Sequence, residues 1–306
     1  MNKLLILPFL LVVFLSNSYA QHGVLDGAYA RETQVKRIEI PLQHIREIDA
    51  MYSKKVLRGI DMEEKRNHPL YFPISDIDYP AAEGLQPERT RLSLASLVFR
   101  AAYPRDEFGK PTYNGRLIYA TSSMNEFAGL TEWWTNPITN SDTAIMNSKF
   151  NVIDEREVTY NKGEANEYKG VEEIRTKIEP SQVKSLYMWE EWVFDKQRSI
   201  MDVRIISILF TAELTNQLAL LFWIDFDDYK DLFATHEVYN QSGNDGARIS
   251  FYDVFQKRLF SSYILAETNV YDNRNVNDYL LGIDAIREGE RIQDKIFTFE
   301  HDQWEY

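Results

Sequence analysis

The residues best suited to chemistry lie in MWEEWVFDKQRSIMDVRIISI, residues 188–208. There Glu190 and Glu191 sit between Trp189 and Trp192, and Asp195, Arg198, Asp202 and Arg204 follow. Glycoside hydrolysis needs two carboxylates, one to protonate the leaving oxygen and one on the far side of the bond, with aromatic rings to stack the sugar. Backbone geometry decides whether these two can serve. Met201, Val203 and Ile205 alternate with Asp202 and Arg204, and Tyr187, Trp189, Glu191 and Val193 alternate with Met188, Glu190, Trp192 and Phe194. Period two means strands, so the stretch predicts a hairpin turning at residues 195–199. Adjacent glutamates on a strand point to opposite faces and cannot flank one bond. The hairpin reads as scaffold, with its acids and bases alternating around an apolar face and turned toward solvent or another subunit.

Other catalytic patterns are missing. No HExxH, GxSxG, GxGxxG or Walker loop occurs, and without cysteine there is neither a thiol nucleophile nor a disulfide. The histidines, His22, His44, His68, His236 and His301, show no ligand spacing. Asp225, Asp227 and Asp228 open like a calcium loop, but the sixth position is Lys230 and the twelfth His236, so they read as acids starting a helix. Glu300-His301-Asp302 reads as a polar tail. No metal or cofactor is expected. Trp133-Trp134 offers a second aromatic platform, either for sugars or for pinning an irregular loop or meeting a partner. With the many acids, it makes a periplasmic carbohydrate-binding protein or glycoside hydrolase the alternative function.

The elements that would position these residues form an α+β pattern, short antiparallel strand pairs packed with several helices. Ile45, Ile48, Tyr52, Val56 and Ile60 recur every three or four residues and predict a helix over 43–66, ended by the HPLYFP segment at His68. Lys54-Lys55 and Lys65-Arg66 would lie on its solvated face. Residues 91–102 predict a short buried helix capped by Ser93. Residues 103–151 read as largely irregular, with a strand near 117–121. Residues 152–160 predict a strand and 161–170 an exposed loop. LALLFWI, residues 218–224, is a buried strand, and a helix follows it. Residues 243–265 give a turn and then a helix, and an amphipathic helix over 277–297 closes the chain. His68-Pro69-Leu70-Tyr71 with Arg91-Leu92-Ser93-Leu94 resembles His236-Glu237-Val238-Tyr239 with Arg248-Ile249-Ser250-Phe251, either as two diverged repeats or by chance.

Residues 1–20 are a signal peptide by pattern: Lys3, the apolar run Leu4–Leu15, then Ser18-Tyr19-Ala20 before the cleavage point. The formal net charge is −13, and one unit more negative once the leader and its lysine are gone. Such acidity excludes a nucleic-acid groove and suits an exported protein that steers basic partners. Residues 21–42 form an extended N-terminal arm, 43–165 a loop-rich N-terminal half, and 166–306 a C-terminal half, with the boundary near 162–170. The arm has few large apolar side chains, and Val24, Leu25 and Tyr29 are its candidate partner contacts, beside Trp133 and Trp134.

VLDGAYARE at Val24, IREIDAMYSKKVLRGIDMEEKRNHPLYFP at Ile45, EEWVFDKQRSIMDVRIISI at Glu190, GARISFYDVFQKRLFSSYI at Gly246 and the terminal EHDQWEY together resemble the gliding-motility protein N family (GldN, also PorN) of the type IX secretion system of Bacteroidota. The resemblance implies a non-enzymatic periplasmic subunit, peripheral to the outer membrane. It also implies a ring formed with an outer-membrane lipoprotein, the K component, and contact with the periplasmic part of the inner-membrane motor protein, the M component. The family supplies no catalytic residues to carry over.

Overall fold

A computed structural model describes residues 38–73, 92–104, 115–121, 137–139, 142–161, 167–214, 217–241, 247–271 and 273–303, all within one compact unit, Ile38–Tyr306. The strands are β1 (Ala50–Asp61), β2 (Ile118–Ala120), β3 (Pro137–Ile138), β4 (Asn151–Asn161), β5 (Glu167–Lys177), β6 (Ser185–Asp195), β7 (Ile200–Leu214), β8 (Gln217–Asp225), β9 (Glu237–Val238), β10 (Ile249–Ser250) and β11 (Tyr263–Glu267). The helices are α1 (His68–Tyr71), α2 (Leu94–Ala102), α3 (Thr143–Phe150), α4 (Phe226–Thr235), α5 (Phe251–Gln256) and α6 (Ile283–Asp302). The fold is α+β. Its frame is a seven-stranded antiparallel sheet in the order β11-β1-β6-β7-β8-β2-β3, while β4–β5 and β9–β10 are separate two-stranded ladders.

The β6–β7 hairpin turns where its alternation ends. Asp195 closes β6, Ile200 opens β7, and Ser199 takes a left-handed conformation in the turn. β8 and α4 follow as their sequences predict. Asp225 caps α4, its side chain accepting from the Asp227 amide at 2.9 Å. Ser93 caps α2, accepting from the Ser96 amide at 3.1 Å.

Residues 43–66 do not form the expected helix. Ala50–Asp61 is strand β1, between 3-10 turns at Glu47–Asp49 and Lys65–Asn67. Val56, Leu57, Arg58, Gly59 and Ile60 are buried in succession, so the strand lacks the polar alternation that marks one open face, and its apolar residues mimic a helical period. Lys54 and Lys55 therefore belong to a strand, and Lys54 Nζ lies 2.9 Å from Glu267. The helix expected before residue 265 is only α5. Arg258 then turns left-handed, and Tyr263–Glu267 pairs with β1 as the edge strand β11. Helix α3 lies inside the stretch read as irregular, and β5 begins at Glu167, inside the expected loop. The closing helix starts at Ile283, later than read.

The boundary expected near 162–170 overlaps the start of β5, and the large sheet takes strands from both sides of it. The two repeats are not confirmed. Ser93 and Ser250 cap α2 and α5 alike, but the preceding histidine segments differ, His68 opening α1 and His236 leading into β9.

One sheet face carries Ile60, Leu186, Met188, Ile208, Phe210, Phe222 and Ile224 under α2, α4 and α5. Phe99 of α2 lies 5.9 Å from Phe222 and 6.5 Å from Phe210, and Phe226, Phe233 and Phe255 join α4 to α5. Farther along, Val56 and Ile264 pack against Ala285, Ile292 and Ile296 of α6. The reverse face carries Leu57, Tyr187, Trp189, Leu209 and Trp223.

Candidate functional site

The two glutamates diverge as strand geometry requires. Glu191 accepts from Ser53 Oγ at 2.7 Å. Glu190 lies in the core at 0% exposure, opposite Val56 of β1, where a register shift in β7 sets it against Ile205. Its carboxylate accepts from Arg58 Nε at 2.8 Å, from Arg258 Nη2 at 2.7 and 3.0 Å, and from Trp192 Nε1 at 3.2 Å. Both guanidiniums also lie over the Trp192 ring, at 5.6 and 5.7 Å. Burial pulls the Arg58 guanidinium below its ordinary value, and Glu190 pulls the other way.

Every oxygen of Glu190 is engaged, and its neighbouring carboxylate is on the other side of the sheet. The pair cannot protonate a leaving group and attack from opposite sides of one bond. Its place between the aromatic core under α2, α4 and α5 and the cluster under α6 makes it an internal clamp. It joins β1, β6 and the α5–β11 connection. The sequence reading turned this charged residue outward; the structure buries it, because two arginines from distant segments satisfy it. Arg258 holds a left-handed backbone just past α5, where glycine usually serves, and its bonds to Glu190 offset that strain.

The remaining candidate chemistry is adhesive. α6 buries Ala285, Gly289, Ile292 and Ile296, yet Ile283, Ile286 and Phe297 on a second stripe stay 69%, 57% and 64% exposed. Val270, Tyr271 and Leu281 before it are exposed too, and the Arg274 guanidinium is held between the Tyr271 and Tyr279 rings at 4.9 and 4.3 Å. Ile38, Ile40, Ile48 and Met51 add apolar surface before and at the start of β1. Aromatic, arginine and aliphatic side chains left in water are the composition of protein interfaces.

The candidate contacts Val24, Leu25, Tyr29, Trp133 and Trp134 lie outside the described residues. The structure brings together Glu190, Trp192, Arg58 and Arg258. The sequence reading missed the two arginines, because nothing local links residues 58, 190 and 258. It also missed the exposed stripe on α6, although the spacing of Ile283, Ile286 and Phe297 beside Ala285, Ile292 and Ile296 carries two apolar arcs. Asp225, read as a helix start, is the α4 cap, and burial raises its carboxyl above the ordinary range. Among the described residues no helix is long and apolar enough to cross a membrane.

Fold and surface together define an α+β protein whose conspicuous carboxylate pair is structural and whose exposed side chains suit protein contacts. The chain belongs to the GldN family: the family model described as gliding motility associated protein GldN matches residues 45–305, nearly its whole length. It is thus a gliding-motility-associated protein, in a family of motility components that is not a known enzyme family. A search of curated proteins finds no match.

Proposed function

We propose that the protein is a non-enzymatic structural subunit of the type IX secretion and gliding machinery. In this reading it is exported to the periplasm and held at the outer membrane. There it forms a ring with the K-component lipoprotein and contacts the periplasmic part of the inner-membrane M component. The observation that carries the reading is the family match over residues 45–305. The saturated Glu190 clamp and the exposed apolar side chains of α6 support it, the first by removing the best catalytic candidate and the second by supplying contact surface. Deleting the gene should stop secretion of type IX cargo, and stop gliding where the host glides, with both restored by the wild-type chain. Normal cargo secretion in the deletion strain overturns the reading.

A further inference from the structure

We propose that the exposed stripe of α6 pairs with the same stripe of a second copy, the two helices lying antiparallel about a twofold axis. This contact goes beyond the ring reading, which a head-to-tail contact alone would satisfy.

α6 spans 20 residues and about 30 Å. Its buried arc, Ala285, Gly289, Ile292 and Ile296, is used up against β11 and β1. The second arc runs Ile283, Ile286, Glu290, Gln293, Phe297, Glu300, with spacings alternating three and four, the seam of a helix pair. Ile283, Ile286, Glu290, Gln293 and Phe297 are exposed, and Glu300 is half-buried, accepting from the Met201 amide.

The choice of a second copy rests on the order of residues along the seam. Its positions are symmetric about a point between Arg291 and Ile292. Turned antiparallel on itself, the seam sets Ile286 opposite Phe297 of the copy, twice, which covers two of its three apolar positions. It sets Glu290 opposite Gln293, twice, so that an amide can donate to each carboxylate. Only the outer layer, Ile283 against Glu300, is mismatched, at the ends where a helix pair frays. Charge agrees. Arg287 and Asp294, both exposed, follow Ile286 and Gln293 on the flank away from the buried arc, and the same antiparallel register brings Arg287 of each helix against Asp294 of the other. Among the described residues Arg287 has only a distant partner, Asp284 at 3.6 Å, with both side chains about 70% exposed. A parallel arrangement loses all of this: it sets Glu290 on Glu290 across the seam and puts the Arg287 and Asp294 flanks of the two helices on opposite sides of the pair.

The test uses the exported chain, which has no cysteine of its own. In the antiparallel register Ile286 meets Phe297, whereas each of these positions is displaced from its own copy by eleven residues, about 16 Å along the axis. A disulfide needs Cα atoms within about 7 Å. Oxidised Ile286→Cys/Phe297→Cys should therefore run as a covalent dimer while each single cysteine variant stays monomeric. Both positions are exposed, so neither substitution opens a cavity in the core. In sedimentation equilibrium, Arg287→Asp or Asp294→Arg alone should weaken dimerisation roughly tenfold, because each removes two exposed pairs per dimer and adds repulsion. The double reversal should recover it. No crosslink in the double cysteine variant, equal crosslinking in the singles, or a wild-type chain that stays monomeric at all concentrations overturns the proposal. The last outcome would assign the seam to a different protein. Because these readouts use purified chain, they stand or fall separately from the secretion phenotype.

Discussion

Replacing Glu190 with glutamine keeps the shape of the clamp and removes its charge. Glu190 is fully buried, and Arg58, 4% exposed, has it as its only carboxylate partner among the described residues, with Ser262 Oγ as the other acceptor at 3.3 Å. Arg258 is about a third exposed and can turn to water, but Arg58 cannot. A buried charge stripped of its partner destabilises by about 3–5 kcal/mol. For a domain of this size each kcal/mol shifts the melting temperature by about 2–4 °C, so Glu190→Gln should melt roughly 6–20 °C below wild type. The apolar pair Arg58→Met/Glu190→Leu should recover much of that loss, since burying two charges is itself unfavourable and the double change leaves no fully buried charge unpaired. Thermal and urea unfolding followed by circular dichroism would measure both. A Glu190→Gln variant within about 1 kcal/mol of wild type, or a double variant worse than the single, would refute the clamp.

At Gly289 a Cβ would stand 2.9 Å from the Ile264 carbonyl oxygen, so α6 rides close on β11 there. Gly289→Leu should destabilise by about 1–3 kcal/mol and speed amide exchange in α6 first, while Gly289→Ala, which sets the same Cβ against that carbonyl but gains about 1 kcal/mol of helix propensity, should lose less. Asp195 is held below the ordinary carboxylate range chiefly by the Arg198 guanidinium at 2.6 Å. A depressed carboxyl contributes stability above its unfolded value of 3.8 that disappears as pH falls through the folded value. Asp195→Asn should therefore melt below wild type at pH 6, with the gap narrowing as pH falls below 3.8; a gap independent of pH would dismiss the ion pair as its cause.

Legibility in the sequence followed how many faces of an element are buried. The hairpin at residues 185–214 could be read because its turn residues and its alternation near the turn coincide, and Ser93 and Asp225 announced their helices by local capping chemistry. β1 was hidden because both its faces are covered around Val56–Ile60, so its apolar residues fall at helical as well as strand intervals. β11 was hidden because Arg258 breaks the chain after α5 with a left-handed turn that arginine rarely takes and only the distant Glu190 sustains. The same non-locality concealed the candidate site. Two adjacent glutamates are visible at once in a sequence, but that one of them is satisfied by residues 58 and 258 is a property of the sheet order.

In the proposed function the chain works by assembling. Its most direct test is to recover a tagged chain from outer-membrane extracts under gentle detergent and to weigh what comes with it. The expected result is a large particle in which the chain and the K-component lipoprotein are both abundant. A chain recovered alone as a small species, with the lipoprotein present in the extract but not bound, would contradict it.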